Sequence, residues 1–266
     1  MPPVRTGPVI GLIVQVILLA TLAATVGLGV PGWLLGVGYG LVTCAALTRG
    51  LHRSGKVALG PADRVTLGRG TLVGCVAALA ADSLHRPVPV ALMVGLAVVA
   101  LALDAVDGKV ARHTGTTSAL GARFDMEVDS FLVLVLSAYV AGPVGWWVFA
   151  IGAMRYAFVA ATWALPWMRG MLPPRYWRKV VAAIQGIALL AATADVLPRA
   201  VATVALAGAL ALLVESFGRD VWWLWRHRPV RVPARHGLDH RHALQLTIRP
   251  EIAAAREKAA HAHARR

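Results

Sequence analysis

LALDAVDGKVARHTGTTSALGARFDMEVDS, residues 101–130, is the stretch of this sequence that decides the fold and the chemistry. Asp104 and Asp107 end one long apolar run, and Asp125 and Asp129 lie in the first turns of the next. Ionised side chains at membrane depth are costly, and where they occur they usually mark a functional site. Both the apolar runs and their acidic junction therefore need an explanation.

The apolar runs indicate a membrane protein. Of the 266 residues, 58% are hydrophobic and 15% are charged, whereas soluble domains are about half apolar and about a quarter charged. The apolar residues fall in runs of roughly 18–22, the length that crosses a bilayer as a helix. The sequence predicts an all-α integral membrane bundle of about eight transmembrane helices: Val9–Leu28, Pro31–Leu47, Val65–Ala81, Val88–Val106, Ala119–Val140, Val144–Leu165, Val180–Val196 and Val201–Val214.

The basic residues predict the orientation of this bundle. The net charge is +14, and most of the 27 Lys and Arg residues lie in alternate connections and in the tail. With the N-terminus inside, only Arg86 and Arg199 fall in outer loops, and Arg155 falls within a span. This asymmetry is typical of the positive-inside rule rather than of nucleic-acid binding. We expect both termini and the 109–123 connection on the cytoplasmic side.

The spacing of the four aspartates predicts that their carboxylates converge. Asp104 and Asp107 lie roughly 60° apart on one helix, and Asp125 and Asp129 roughly 40° apart on the next. A short connection makes these helices antiparallel neighbours. Four carboxylates in a small volume repel one another unless a cation is present. Oxygen ligands suit Mg²⁺ or Mn²⁺, and the absence of His and Cys beside them argues against zinc.

Small and basic residues follow the first aspartate pair. Gly108 would let a ligand approach the backbone, and Arg112, one turn later, could hold a phosphate in bidentate fashion. One alternative remains open, in which the aspartates belong to a structural loop and pair with Lys109, Arg112 and Arg123.

The pattern resembles a known family signature. Eight fixed residues over 26 positions resemble the signature of the CDP-alcohol phosphatidyltransferase family: Asp104-x₂-Asp107-Gly108-x₂-Ala111-Arg112-x₈-Gly121-x₃-Asp125-x₃-Asp129. The resemblance extends over the six spans from about Val65 to Val214. It implies a six-helix core, often dimeric, with the active site at the cytoplasmic membrane surface. The predicted organisation is two additional helices (1–50), the core (51–220) and a basic, His-rich cytoplasmic tail (221–266).

The resemblance also implies roles for the aspartates. All four, Asp104, Asp107, Asp125 and Asp129, would bind two divalent metal ions, and Asp129 would act as general base. The group transferred would be a phosphatidyl or related phospho-alcohol, moved from a CDP donor to an acceptor hydroxyl with release of CMP.

A second patch, Asp63-Arg64-Val65-Thr66-Leu67-Gly68-Arg69, resembles the segment that opens the first core helix of the family. Thr66 and Arg69 match recurring residues, and Asp63 stands where the family has Asn. The predicted nucleotide-binding residues are Asp63, Thr66, Gly108 and Arg112.

The acceptor side of the site is predicted from basic residues. By the same resemblance, Arg155 and Lys179 are candidates to bind the acceptor. A salt bridge of Arg155 within the bundle, with Glu127 as its partner, is the structural alternative.

The expected function is transfer of a phosphatidyl group from CDP-diacylglycerol to an alcohol that the sequence does not identify. The expected location is a bacterial cytoplasmic membrane, with the protein as a homodimer. The alternatives are transfer of a different CDP-linked alcohol phosphate to a lipid alcohol, a membrane transporter, and an inactive membrane scaffold. A transporter would favour charges near the midplane and broken helices, whereas these aspartates cluster at helix ends.

Overall fold

The computed structural model describes residues 6–55, 58–114, 118–170, 172–173 and 175–228, with the side chains of residues 105 and 107–114 excepted. Within these residues the chain forms eight α-helices and no β-strand. Most of the predicted basic, His-rich tail, from residue 229 onward, falls outside the described residues. The helices are α1 (Thr6–Thr25), α2 (Val30–Arg53), α3 (Pro61–Asp82), α4 (Val90–Thr114), α5 (Ala119–Val144), α6 (Phe149–Ala164), α7 (Tyr176–Thr193) and α8 (Arg199–Arg226).

The predicted all-helical membrane bundle is confirmed. Among the described residues, six helical segments are long and apolar enough to cross a bilayer. Of the other two helices, α4 has an apolar part that ends at Asp104, and α7 begins with Tyr-Trp-Arg-Lys. Three helices continue well beyond their apolar runs, among them α2, which extends past Leu47 to Arg53. Helix α4 extends past Val106 to Thr114, and α8 past Val214 to Arg226, because polar residues are tolerated once a helix leaves the apolar region.

Helix α3 lies at the centre of the bundle and packs against α1, α2, α4 and α5. Of its most apolar 18-residue window, 72% is buried, against no more than 39% in the other five candidate spans. Small residues allow this close packing. At Gly74 a Cβ atom would collide with the side-chain amide of Gln15 on α1. Such small-residue contacts are typical of helix association in membranes, where the backbones must approach closely.

A buried carboxylate joins the α1–α2 hairpin to the end of α3. Asp82 is 1% exposed and accepts hydrogen bonds from the backbone N–H groups of Gly29, at 2.7 Å, and Gly32, at 3.1 Å. These N–H groups belong to the start of α2, where a negative charge is also favoured by the helix dipole. Arg86 donates to the same carboxylate at 2.8 Å and also bonds the carbonyl of Gly27. The hairpin is thereby held to α3 by ionic as well as apolar contacts.

We expect Asp82→Ala to lower the thermal unfolding temperature of the purified protein more than Arg86→Ala does. Losing Asp82 leaves the two N–H groups at the start of α2 without their acceptor, and each buried donor left unsatisfied costs about 1–3 kcal/mol. Arg86 is 37% exposed, so its loss leaves Asp82 bound to the α2 start. Equal unfolding temperatures for the two variants would contradict this account.

Candidate active site

Three carboxylates from two helices meet beside α3. One oxygen each of Asp104 on α4 and of Asp125 and Asp129 on α5 lies within 4.8 Å of the others. Asp125 and Asp129 are one turn apart and project from the same face of α5. The side chains are 43%, 37% and 45% exposed in chain order. The cluster is therefore open on one side and could be reached by a soluble ligand.

The guanidinium of Arg69 lies among these carboxylates. Arg69 is only 1% exposed, and its Nη1 contacts Asp104 Oδ1. Its Nη2 lies 2.5 Å from Asp125 Oδ1 and 3.2 Å from Asp129 Oδ1. The same nitrogen donates to the backbone carbonyl of Asp125 at 3.3 Å. A buried cation requires such partners, so Arg69 ties α3, α4 and α5 together at the site.

Arg69 was matched to the family pattern in the sequence, but no role was predicted for it. Its partners are 35 and 56 residues away along the chain, so no local spacing identifies them. The available signal was an arginine that directly precedes the long run of small and apolar residues in the second half of α3.

The charge balance of the cluster favours a further cation. Three carboxylates and one guanidinium leave a net negative charge if all groups are ionised. The donor atoms are all oxygens and they are partly open to solvent, which fits a hard divalent ion such as Mg²⁺ or Mn²⁺. The three carboxylates therefore fit a metal site, with Arg69 holding them in place from the buried side.

The fourth predicted ligand lies in the same helix. Asp107, Gly108 and Arg112 all belong to α4, one or more turns beyond Asp104. Their side chains are outside the described residues, so the predicted roles of all three stay predictions.

The predicted nucleotide residue Asp63 has a structural partner at the start of α3. It is 4% exposed, and its Oδ2 accepts the backbone N–H of Gly60 at 3.1 Å. Its Oδ1 lies against Gly121 of α5, where a Cβ atom would collide with it. The contact explains why a residue without a side chain is suited to position 121. Thr66 is also buried, and its hydroxyl donates to the carbonyl of Ala62 at 3.2 Å.

The two predicted acceptor residues belong to α6 and α7. Arg155 Nη2 is 2.5 Å from Glu127 Oε1, and Nη1 is 2.9 Å from the sulfur of Met126. The ion pair that was left open as an alternative is thus present. Glu127 is about 160° around α5 from both Asp125 and Asp129. Lys179 is exposed in the first turn of α7.

Comparison with protein families gives one match. The CDP-alcohol phosphatidyltransferase family matches residues 60–214, more than half of the chain. The matched region begins just before α3 and ends within α8, and it contains the carboxylate cluster and Arg69. No curated protein and no solved structure matches the chain.

We expect Gly121→Ala to lower the thermal unfolding temperature, because the new methyl group displaces the buried Asp63 carboxylate from its bond to Gly60. Overpacking of this kind costs about 1–3 kcal/mol. Gly142→Ala on the same helix is the matched control, since a Cβ atom there meets nothing within 4 Å. The expectation fails if the Gly121→Ala protein unfolds at or above the temperature of the Gly142→Ala protein.

Proposed function

Because the chain belongs to the CDP-alcohol phosphatidyltransferase family, we propose that it transfers a phosphatidyl group from CDP-diacylglycerol to an alcohol acceptor and releases CMP. Family membership supports the broader statement that the chain is a transferase acting on a CDP-alcohol. The observation that carries the specific proposal is the cluster of Asp104, Asp125 and Asp129 around buried Arg69.

The depth of the cluster suits a donor that is half nucleotide and half lipid. Asp125 and Asp129 are six and ten residues from the start of α5, or about 9 Å and 15 Å along its axis. Asp104 lies ten residues before the end of α4. All three are in the part of the bundle next to the α4–α5 connection, and each is partly exposed. A nucleotide could enter from water here while the acyl chains stay in the bilayer.

In the proposed reaction the acceptor hydroxyl attacks the phosphorus nearer the diacylglycerol, and the bond from that phosphorus to the CMP oxygen breaks. Asp129 accepts the hydroxyl proton. Arg69 keeps the Asp125 and Asp129 carboxylates at a fixed spacing, because one Nη2 atom contacts both. Asp104, Asp107, Asp125 and Asp129 would hold two divalent ions, whose charge would offset that of the diphosphate. Asp63, Thr66, Gly108 and Arg112 are proposed to contact the nucleotide.

A second candidate is transfer of a different CDP-linked alcohol phosphate to a lipid alcohol. The Arg155–Glu127 ion pair favours this second candidate. Because Glu127 neutralises Arg155, this arginine attracts a phosphorylated acceptor less strongly, and an uncharged lipid alcohol needs no such attraction. For a phosphorylated acceptor, Arg155 and Lys179 would bind the phosphate only after Arg155 exchanges Glu127 for it.

A panel of substrates separates these two candidates. Purified protein with CDP-diacylglycerol, Mg²⁺ or Mn²⁺ and labelled acceptors should release CMP and form one phospholipid. A parallel set pairs other CDP-alcohols with diacylglycerol as the lipid alcohol. Product in the second set alone would favour the second candidate, and no CMP release in either set would contradict both.

Metal titration of two variants tests the role of Asp129. Asparagine is nearly isosteric with aspartate but does not accept a proton at neutral pH. Asp129→Asn should bind CDP-lipid yet lose about 10²–10⁴-fold in turnover, the contribution of a general base. Asp104→Asn should instead weaken metal binding and recover part of its turnover at high Mg²⁺. Equal rescue of both variants by Mg²⁺ would assign Asp129 as an ordinary ligand.

We also propose that both termini and the site face the cytoplasm of a bacterial cell, and that the protein is a homodimer in the cytoplasmic membrane. The distribution of Lys and Arg supports the orientation. A Cys placed at Ser54, after α2, should resist a membrane-impermeant thiol reagent added from outside. A Cys at Pro198, before α8, should react. The variants need Cys44→Ser and Cys75→Ser as background, and the reverse labelling pattern would invert the orientation.

A further inference from the structure

A lateral groove of about 610 Å³ lies between α2, α5 and α6. Its volume is within the range of ligand pockets in proteins, about 300–1,000 Å³. One wall is a stripe along α2 that includes Leu35, Gly38 and Val42, and the opposite wall runs along α5 from Leu120 to Phe131. The α2 wall lies outside residues 60–214, so the groove is a feature added to the matched core by the N-terminal hairpin.

The groove is separate from the carboxylate cluster. Its α5 wall includes Arg123 and Glu127, which lie about 40° apart on the helix; Glu127 is about 160° from both Asp125 and Asp129, and Arg123 about 160° from Asp125 and about 120° from Asp129. The charged residues of the groove and the two aspartates therefore lie on different sides of α5.

The dimensions of the groove fit a single hydrocarbon chain. From Leu120 to Phe131 the α5 wall is about 17 Å long, and one leaflet of the hydrocarbon core is about 15 Å thick. Farther along the groove Tyr39 on α2 stacks on Phe131 of α5, with ring centroids 4.5 Å apart. At the near end Leu47 and Leu51 of α2 pack against Leu120 and Phe124. Both walls of the groove therefore run in the direction that an acyl chain takes through one leaflet of the bilayer.

The polar groups of the groove are suited to a phosphate at its near end. Arg123 is exposed, one turn into α5, and has no ion-pair partner among the described side chains. Glu127 lies one turn deeper, but its charge is neutralised by Arg155. Thr43 and Tyr156 add hydroxyl groups to the lining. Arg123 and Glu127 carry opposite charges, and because Arg155 pairs with Glu127, the guanidinium of Arg123 is left as the cation at the near end of the groove.

We propose that the groove binds one anionic phospholipid of the surrounding bilayer, with an acyl chain between α2 and α5 and its phosphate at Arg123. The lipid is not the CDP-linked substrate, which belongs on the aspartate face of α5. The bound chain fills the space between the added hairpin and the catalytic helix, and so supports the position of α5 from the side opposite to Arg69.

Gly38 offers a direct test, because a Cβ atom there meets nothing within 4 Å and a leucine would fill the groove instead of displacing protein atoms. Gly208→Leu on α8 is the matched control, since that glycine is exposed and equally open. The proteins are released from nanodiscs of equimolar phosphatidylglycerol and phosphatidylcholine, and retained lipids are counted by native mass spectrometry. Wild type and Gly208→Leu should retain one phospholipid per chain more than Gly38→Leu.

The head-group preference provides a second measurement. Wild type should enrich phosphatidylglycerol in the retained lipid by about fivefold, the effect of one basic residue near a membrane surface, and Arg123→Gln should abolish the enrichment. If Gly38→Leu does not fold, the loss of phosphatidylglycerol enrichment in Arg123→Gln is sufficient to test the proposal. The proposal is overturned if Gly38→Leu retains as much lipid as wild type, or if Arg123→Gln keeps the enrichment. It is also overturned if CDP-diacylglycerol displaces the retained lipid, or if Gly38→Leu converts a dimer to a monomer, since a substrate or a second copy would then be the occupant.

Discussion

The pairing of buried Arg69 with three aspartates is the interaction on which the site depends. A guanidinium that is 1% exposed is tolerated only with close anionic partners, and a group of carboxylates within 4.8 Å is tolerated only with nearby positive charge. The aspartates therefore stabilise the buried guanidinium of Arg69, and the guanidinium stabilises the group of aspartates. Because Arg69 is on α3, Asp104 on α4, and Asp125 and Asp129 on α5, this one interaction joins the central helix α3 to two of its neighbours.

The central position of α3 follows from its composition as well as from this ion cluster. Gly74 and the alanines around it permit α1 and α2 to approach on one side, while Arg69 faces α4 and α5 on the other. Asp82 then binds the start of α2 at the far end of the same helix. Helix α3 thus carries a charged contact near each end, one to the matched core and one to the added hairpin.

The sequence predicted what depends on local pattern and left out what depends on distant contacts. The apolar runs predicted an all-helical bundle, and the i,i+4 spacing of Asp125 and Asp129 predicted that they share a face. The pairing of Arg69 with residues 35 and 56 positions away has no local signature. The buried position of Asp63 against Gly121 likewise depends on how α3 and α5 pack. For Arg155, the sequence supplied both an ion pair with Glu127 and an acceptor site, and only the packing of α5 against α6 brings the pair together.

The two sides of α5 divide the chemistry of the protein. One side carries the partly exposed carboxylates of Asp125 and Asp129, which we propose bind a cation and a nucleotide. The other carries Arg123 and Phe131 along an apolar groove, which we propose holds a lipid chain. Such a helix suits the boundary between the bilayer and the aqueous phase, where each side meets a favourable medium. The added helix α2 covers part of the lipid-facing side and not the aspartate side. The hairpin can therefore alter how α5 meets the bilayer while leaving the carboxylate cluster open to its substrates.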